Sequence, residues 1–284
     1  MDVGALRNRL TEIEAIADHQ WLAGLSERKK RELEFHDADR DAERAKALDK
    51  EAYEKVYGNR KYYQATDLSK GYVDQWIRDK AKGQVFLDYA CGNGVNAIKA
   101  AKAGAVLSIG LDISRVSVEN AKRSAREQGV EHNTYFVQAD AENTLLPVDS
   151  IDAIICSGML HHLDLSYAFP ELRRILRPGG RILAVEALNY NPAIKLYRWW
   201  TPEMRTDWEK RHILSFRDLR FAGRFFHVEN VKCWHIVSMF APYANLMSAL
   251  PILNWIDRVA TKIPVVKLLA WIFTFELVKP TRDE

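Results

Sequence analysis

The sequence is poor in cysteine, and its thiols are far apart. Cys91, Cys156 and Cys233 are three in number, with long stretches of chain between them. A disulfide framework needs paired cysteines and a structural zinc site needs ligands at short spacing, so neither is predicted. Thiols stay free in a reducing compartment, and we therefore expect a cytoplasmic protein.

An excess of charge of one sign is absent as well. The 41 Lys and Arg residues nearly balance the 38 Asp and Glu residues, leaving a net charge of +3. Proteins that bind nucleic acid concentrate basic charge in a stripe or patch, and this sequence has no such stripe. No nucleic-acid partner is expected. The opening MDVGALRNRL lacks the apolar core of a signal peptide, so we also expect no secretion.

The chain is long and apolar enough to bury a full core, since 48% of its 284 residues are hydrophobic. Residues 1–58 are dense in charge, and Leu6, Leu10 and Ile13 recur at helical spacing. They predict an N-terminal extension of two or three helices outside a central sheet. We expect its charged run to be a solvated helix face, the alternatives being a dimerising arm or a lid over a ligand.

Residues 85–112 predict half of a nucleotide-binding βαβ unit. An apolar run at 85–90 suits a buried strand and stops at a glycine-containing loop. Helical spacing follows over 95–103, and a second apolar strand at 106–111 ends on Asp112. Two glycines in the first turn let a backbone approach a ligand, and an acid after the second strand can accept from both hydroxyls of a ribose.

The identity of the nucleotide depends on Asp88, at the end of the first strand. The turn Gly92–Ala97 also fits the G-x-G-x-x-A dinucleotide fingerprint, which keeps an NAD-dependent oxidoreductase open as an alternative. A pyrophosphate on this turn would meet the negative charge of Asp88 at close range. A ligand with an ammonium and a sulfonium would be attracted instead, which favours S-adenosylmethionine.

The string Asp88-Tyr89-Ala90-Cys91-Gly92-Asn93-Gly94 resembles the first motif of class I S-adenosylmethionine-dependent methyltransferases, D/E-x-G-x-G-x-G. It departs from that motif at Ala90, where the family most often has Gly. The similarity covers roughly residues 60–236 and the last strand, in the branch of small-molecule and lipid methyltransferases. It implies a methyltransferase domain at 59–284 with an α/β, Rossmann-like, doubly wound sheet of seven strands. The implied strand order is 3-2-1-4-5-7-6, with the last strand antiparallel.

The resemblance also implies the residues that bind the cofactor. Asp140 follows the third strand, beside the position of the adenine in the family. An aromatic residue of the preceding helix, Tyr72, could meet the sulfonium by cation–π attraction or could simply pack on the sheet. The cofactor-binding residues predicted in this way are Asp88, Ala90, Cys91, Gly92, Gly94, Asp112, Ile113, Asp140, Ala141, Ser157 and Tyr72.

The chemistry is predicted after the fourth strand, at 149–158, and near the end of the fifth. Methyl transfer is an in-line displacement at an activated carbon, so the protein mainly positions the nucleophile and removes its proton. His161 and His162 are the candidate bases, and Glu186 is a further candidate catalytic residue at the same sheet edge. The histidines could instead only hold their loop together. Adjacent histidines lack the i, i+4 spacing of a helical metal site, and no metal is predicted.

Two inserts leave the common pattern, at 189–214 and 237–271. The first is aromatic and basic. The second contains an uncharged stretch, 236–256, whose Pro and Asn residues argue against a membrane-spanning helix. We expect a helical cap over an apolar pocket, or alternatively peripheral contact with the inner face of the membrane.

The sequence therefore predicts transfer of a methyl group to an oxygen of a small acceptor that is hydrophobic or linked to a lipid or glycan. N- or C-methylation, and a binding protein that keeps the cofactor fold without catalysis, remain alternatives.

Overall fold

The computed structural model describes residues 2–242 and 245–281. Six residues of the predicted regions lie outside this range. They are 1 and 282–284, at the outer ends of the two predicted domains, and 243 and 244 of the second insert. The described N-terminal extension has five helices where two or three were predicted. They are α1 (Val3–Glu14), α2 (Asp18–Ala23), α3 (Glu27–Arg40), α4 (Ala42–Ala47) and α5 (Lys50–Tyr57).

Side-chain caps explain the greater number of helices. Ser26, Asp41 and Asp49 each accept a hydrogen bond from a backbone N–H in the first turn of the helix that follows them. Such caps satisfy donors that have no partner within the helix, so each can begin a new helix. The charge-rich run is thereby divided into short segments.

The extension packs on the rest of the fold. Leu6, Leu10 and Ile13 of α1 are fully buried in the main core. In α3, Glu32 and Leu33 are buried, whereas Glu27, Arg31 and Glu34 are exposed, so only one face of this helix is solvated. Its inner face is covered by contacts with distant parts of the chain, which local charge spacing does not report.

The first half of the sheet alternates strands with helices, as predicted. After a 3-10 segment at Gly58–Ala65, the elements are α6 (Asp67–Ala81), β1 (Val85–Tyr89), α7 (Val95–Lys102), β2 (Leu107–Asp112), α8 (Arg115–Glu127) and β3 (Thr134–Gln138). Strands β1 and β2 are buried along their whole length, because helices cover both faces of a parallel sheet.

The second half follows the same pattern and carries the inserts. Its elements are β4 (Ile151–Ser157), α9 (Leu165–Ile175), β5 (Leu176–Ala187), α10 (Pro192–Trp200), α11 (Phe216–Ala222), β6 (His227–Trp234), α12 (Leu250–Ala260) and β7 (Ile272–Val278). Helix α9 begins five residues before its predicted start at Pro170, because Asp164 caps it by accepting from the Ser166 N–H at 2.9 Å.

The seven strands have the order β3-β2-β1-β4-β5-β7-β6, which confirms the prediction. The pairs among β1 to β5 are parallel, and β7 runs antiparallel to both of its neighbours. The carboxyl ends of β1, β2, β4 and β5 therefore meet at one edge of the sheet, where open α/β folds bind their ligands.

The second insert forms short helices over the end of β6. The buried carboxylate of Asp257 in α12 accepts the N–H groups of Ile236, Val237 and Ser238, at 3.1, 2.8 and 3.2 Å. This one side chain fastens α12 to the chain that leaves β6. In residues 2–242 and 245–281, none of the helices has the length and apolarity needed to cross a bilayer.

Candidate active site

The turn after β1 has the backbone that a close ligand approach requires. Ala90 has φ +55° and Gly92 φ +51°, both in the left-handed region. A Cβ on Gly94 would lie 2.6 Å from the Phe136 ring, so this glycine is needed for packing. The left-handed φ of Ala90 explains why glycine is usual at this position of the family motif, since alanine is strained there.

Asp88 lies behind this turn and not in the cleft. Its carboxylate accepts the Ala97 N–H at 3.1 Å, at the start of α7, and its side chain is buried. Burial raises the pKa of Asp88 to about 7. Its hydrogen bond with the Ala97 N–H satisfies a donor at the start of α7 that has no partner within the helix. The prediction of S-adenosylmethionine relied on the negative charge of Asp88 and assumed that its side chain faces the ligand. The side chain instead points to the start of α7.

Asp112 ends β2 and lines the cleft. Its carboxylate accepts the Gly92 N–H at 2.8 Å on one oxygen and the Ser114 N–H at 2.9 Å on the other. Each oxygen keeps a further lone pair, so the group can still accept from two hydroxyls of a ligand. Burial raises the pKa of Asp112 above its ordinary value.

Asp140 and Glu142, after β3, are paired with cations of α3. Lys29 contacts Asp140 at 2.5 Å and Glu142 at 3.0 Å, and Arg28 also pairs with Glu142. These contacts join the N-terminal extension to the loop that was predicted to border the adenine. The acids and cations balance each other's charge in a partly buried site.

The cleft itself lies between α3 and the sheet edge. It is lined by the predicted cofactor residues Ala90, Gly92, Asp112, Ile113, Asp140, Ala141 and Ser157, by His162, and by Arg28, Lys29, Glu32, His36 and Arg40 of α3. Its volume is about 90 Å³, well below the roughly 300–1,000 Å³ of ordinary ligand pockets. Entry of a nucleotide-sized ligand therefore requires the side chains that line the cleft to rearrange.

Three other predicted cofactor residues lie elsewhere. The hydroxyl of Tyr72 donates to Glu276 at 3.2 Å and its ring packs on Trp234, at the far end of the sheet order from Asp112. Tyr72 therefore has the packing role that was its alternative. Cys91 and Gly94 pack with the core beneath the turn.

His161 and Glu186 form a buried pair at the carboxyl edge. The Nδ1 of His161 lies 2.6 Å from the Glu186 carboxylate, whose other oxygen accepts the N–H groups of Met159 and Leu160. Burial alone would lower the pKa of His161, but the charge and hydrogen bond of Glu186 outweigh it and raise that pKa above 6.5. The carboxylate of Glu186 therefore engages Nδ1 of His161, and the other ring nitrogen, Nε2, points away from Glu186.

His162 stacks beside His161 but has different partners. Its Nδ1 lies 2.9 Å from the Glu32 carboxylate of α3, and Glu32 lies 3.7 Å from Nε2 of His36. Burial, together with His161, lowers the pKa of His162 to about 4, so its ring is neutral at pH 7. Burial would raise the pKa of Glu32, but the hydrogen bond with His162 and the nearby His36 lower it below its ordinary value.

A polar cluster faces the free nitrogen of His161. Glu209 of the first insert lies 3.8 Å from Nε2 of His161, and it pairs with Arg198 at 2.7 Å and Arg205 at 3.5 Å. Sequence reasoning singled out neither Glu209 nor any individual residue of α3, although a lid over a ligand was one alternative for that charged run. For α3, the Glu32–His36 spacing of four residues, which places both on one helix face, was the available signal.

Several residues of this site lie within a region that resembles a known protein family. Residues 86–180 match the family model described as "Methyltransferase domain". This chain carries a class I S-adenosylmethionine-dependent methyltransferase domain. The methyltransferase domain spans the first glycine turn, Asp112, Asp140 and the two histidines, and the cofactor of its family is S-adenosylmethionine.

Relatives of the methyltransferase domain match over part of their length. The chain is 38% identical over 101 residues to 27-O-demethylrifamycin SV methyltransferase of Amycolatopsis mediterranei, which is 35% of this chain and 37% of that protein. It is 32% identical over 121 residues to ubiquinone biosynthesis O-methyltransferase of Aeromonas salmonicida, 41% of this chain and 50% of that protein. The chain thus spans half or less of the length of these two relatives.

Solved structures share the fold of the methyltransferase domain. Geranyl diphosphate C-methyltransferase of Streptomyces coelicolor aligns with a TM-score of 0.56 at 16% identity, covering 74% of this chain and 76% of that one. The [4+2]-cyclase SpnF aligns with a TM-score of 0.52 at 19% identity, covering 74% and 80%. A cyclase is among these neighbours, so the fold alone does not determine the reaction.

The cleft residues fit the cofactor of the family. Asp112 offers free lone pairs at the ribose position, and the left-handed turn at Ala90 and Gly92 exposes backbone to the cleft. Asp140 and Ala141 line the same cleft, where the family resemblance predicts the adenine. These residues would hold S-adenosylmethionine, which supplies an activated methyl group.

Proposed function

We propose that the protein transfers a methyl group from S-adenosylmethionine to an oxygen of a small acceptor, with His161 as the general base. The observation that carries this proposal is the 2.6 Å contact between His161 Nδ1 and Glu186. A carboxylate on Nδ1 orients the ring and stabilises the charge that the ring gains when Nε2 takes a proton. A hydroxyl nucleophile needs such a base, which contributes about 10²- to 10⁴-fold to a rate.

The choice of oxygen has two further supports. The raised pKa of His161 suits removal of a proton from a hydroxyl at neutral to alkaline pH. Two relatives are named for O-methylation or O-demethylated substrates. Because the sterol relative of Aspergillus fumigatus, 31% identical over 120 residues, is named as a C-methyltransferase, carbon transfer is the alternative that the test must distinguish.

The proposed acceptor has a polar end and an apolar body. Glu209, Arg198 and Arg205 surround the free side of His161 and can hydrogen-bond a polar group. These charges pair with one another in the absence of an acceptor, so a polar group of the acceptor would exchange for part of that pairing. The hydrophobic or lipid- or glycan-linked part of the predicted acceptor would extend toward the second insert.

The test is production of S-adenosylhomocysteine by purified protein given S-adenosylmethionine and fractionated cell extract. Mass spectrometry of the methylated product then distinguishes O-, N- and C-methylation. We expect an O-methyl product and a loss of about 10²-fold or more in Glu186→Gln, because that change favours the wrong ring tautomer. A C-methyl product, or full activity of the variant, would contradict the proposal.

We further propose that the inserts contact an anionic membrane surface. Helix α12 turns Ile252, Trp255 and Val259 outward, with 65%, 65% and 50% of their surface exposed. Trp199 and Trp200 of α10 are 74% and 69% exposed. Exposed apolar residues on the face of a helix are typical of interfacial binding, and tryptophan favours the headgroup region.

Basic residues adjoin this apolar surface. Lys195, Arg258 and Lys262 are exposed among or next to the outward-facing apolar residues. Their charge favours anionic lipid and would add to the burial of the apolar side chains. This arrangement supports a lipid surface as the partner.

Co-sedimentation with phosphatidylglycerol vesicles tests the membrane proposal. Trp255→Ser should weaken partitioning roughly tenfold or more, since burial of such a side chain contributes about 1.5–3 kcal/mol. Val148→Ser, at an equally exposed apolar position outside the inserts, should leave partitioning unchanged. Equal effects of both substitutions, or failure of the wild type to sediment with the vesicles, would contradict this proposal.

A further inference from the structure

Three side chains at the cleft mouth form a group with the composition of a metal site. Glu32 and His36 lie one turn apart on α3, and His162 faces them from the 3-10 turn Leu160–His162 that follows β4. One ligand atom from each lies within 4.8 Å of the others. The sequence prediction of no metal considered the adjacent histidines alone and did not pair either with α3.

The distances suit coordination. A Zn²⁺ ion binds histidine nitrogen and carboxylate oxygen at roughly 2.1 Å, which places neighbouring ligand atoms roughly 3.0–3.4 Å apart. The Glu32 oxygen lies 2.9 Å from Nδ1 of His162 and 3.7 Å from Nε2 of His36. An ion between the three ligands would therefore require only side-chain adjustments.

The donor set also suits a metal. Zinc binds imidazole nitrogen and carboxylate oxygen. Two imidazoles and one carboxylate meet here. The bound ion would replace the contacts that the two rings now make to the carboxylate.

A neighbouring group is a weaker candidate. His161, His162 and Glu209 also lie within reach of a common ion. However, Glu209 already pairs with Arg198 and Arg205, and His161 with Glu186. A metal there would have to displace guanidinium groups, whereas Glu32 pairs with the two imidazoles that would join it as ligands.

We propose that Glu32, His36 and His162 bind one divalent transition-metal ion, with Zn²⁺ as the best match to two nitrogens and one oxygen. Three protein ligands leave at least one coordination position open, as in sites that bind a further ligand. Because two ligands belong to α3 and one to the loop after β4, the ion fastens the N-terminal extension over the cofactor cleft.

The test measures metal uptake by the full-length protein without cofactor or acceptor, so its outcome is independent of the proposed methyl transfer. After removal of metal with a chelator, calorimetric titration with Zn²⁺ should show one ion per chain. His36→Ala and Glu32→Gln should each raise the Kd at least about tenfold. His132→Ala, at an exposed histidine just before β3, and Glu209→Gln should bind as the wild type does.

Cobalt provides a second readout that does not depend on the variants folding. Co²⁺ bound by the wild type should show the visible bands of a nitrogen and oxygen site. Sulfur-to-metal charge transfer would instead indicate binding by Cys91, Cys156 or Cys233 and would overturn the proposal. It would also be overturned if the wild type bound no stoichiometric Zn²⁺, if His36→Ala bound as tightly as the wild type, or if only Glu209→Gln lost the ion.

Discussion

Replacement of Asp112 by Asn tests whether this carboxylate binds the ribose of the cofactor. The carboxylate now accepts the N–H groups of Gly92 and Ser114, one on each oxygen. An amide has one acceptor oxygen, so its nitrogen must face one of these donors and cannot accept from a ribose hydroxyl. Loss of one charge-assisted hydrogen bond to the ribose costs about 1.5–3 kcal/mol, which raises the Kd about 10- to 150-fold.

The assay is isothermal titration calorimetry with S-adenosylhomocysteine, which binds without turnover. Asp79→Asn is a matched control, because Asp79 is exposed on α6 and hydrogen-bonds Gln75 of the same helix. Thermal melting of both variants separates weakened binding from unfolding. An unchanged Kd for folded Asp112→Asn would refute the assignment of Asp112 to the ribose.

Three further predictions concern single residues. Glu186→Gln removes the charge that raises the pKa of His161 but leaves the burial that lowers it, so the NMR titration midpoint of the His161 ring should fall from above 6.5 to below it. In the wild type, the neutral form of His161 therefore predominates only at a pH above this raised pKa. Equal titration midpoints in the wild type and in Glu186→Gln would exclude the pairing of His161 with Glu186. Ala90→Gly should raise the free energy of unfolding by about 0.5–1 kcal/mol, because it relieves a left-handed alanine; chemical denaturation that shows a loss would argue against the strain. Asp257→Ala leaves three N–H groups without their acceptor and should cost about 3 kcal/mol or more in the same assay, whereas a cost near zero would show that α12 is held by other contacts.

The central sheet was predictable because its sequence signals are local. Apolar runs for β1, β2 and β4 are bounded by turns rich in glycine or aspartate, and each strand is buried on both faces. The strand order came from the family resemblance and not from the runs themselves. Element ends were less certain, as the early start of α9 after the Asp164 cap shows.

The site was predictable only in part, because part of its lining comes from a distant segment. Lys29 meets Asp140 across 111 residues of sequence, and His162 meets Glu32 across 130. A run of alternating charge gives no local sign of such partners, so α3 was interpreted as a solvated face. Asp88 was misplaced for another reason. Side chains alternate along a strand, and its carboxylate points to α7, not to the cleft.

The central claim is that this cleft binds a cationic nucleoside cofactor without a phosphate. Calorimetry of the purified wild type with S-adenosylmethionine, S-adenosylhomocysteine and NADH tests it directly. We expect saturable binding of the first two at one site per chain and none of NADH. Tight binding of NADH, with no binding of S-adenosylmethionine or its demethylated product, would contradict the account.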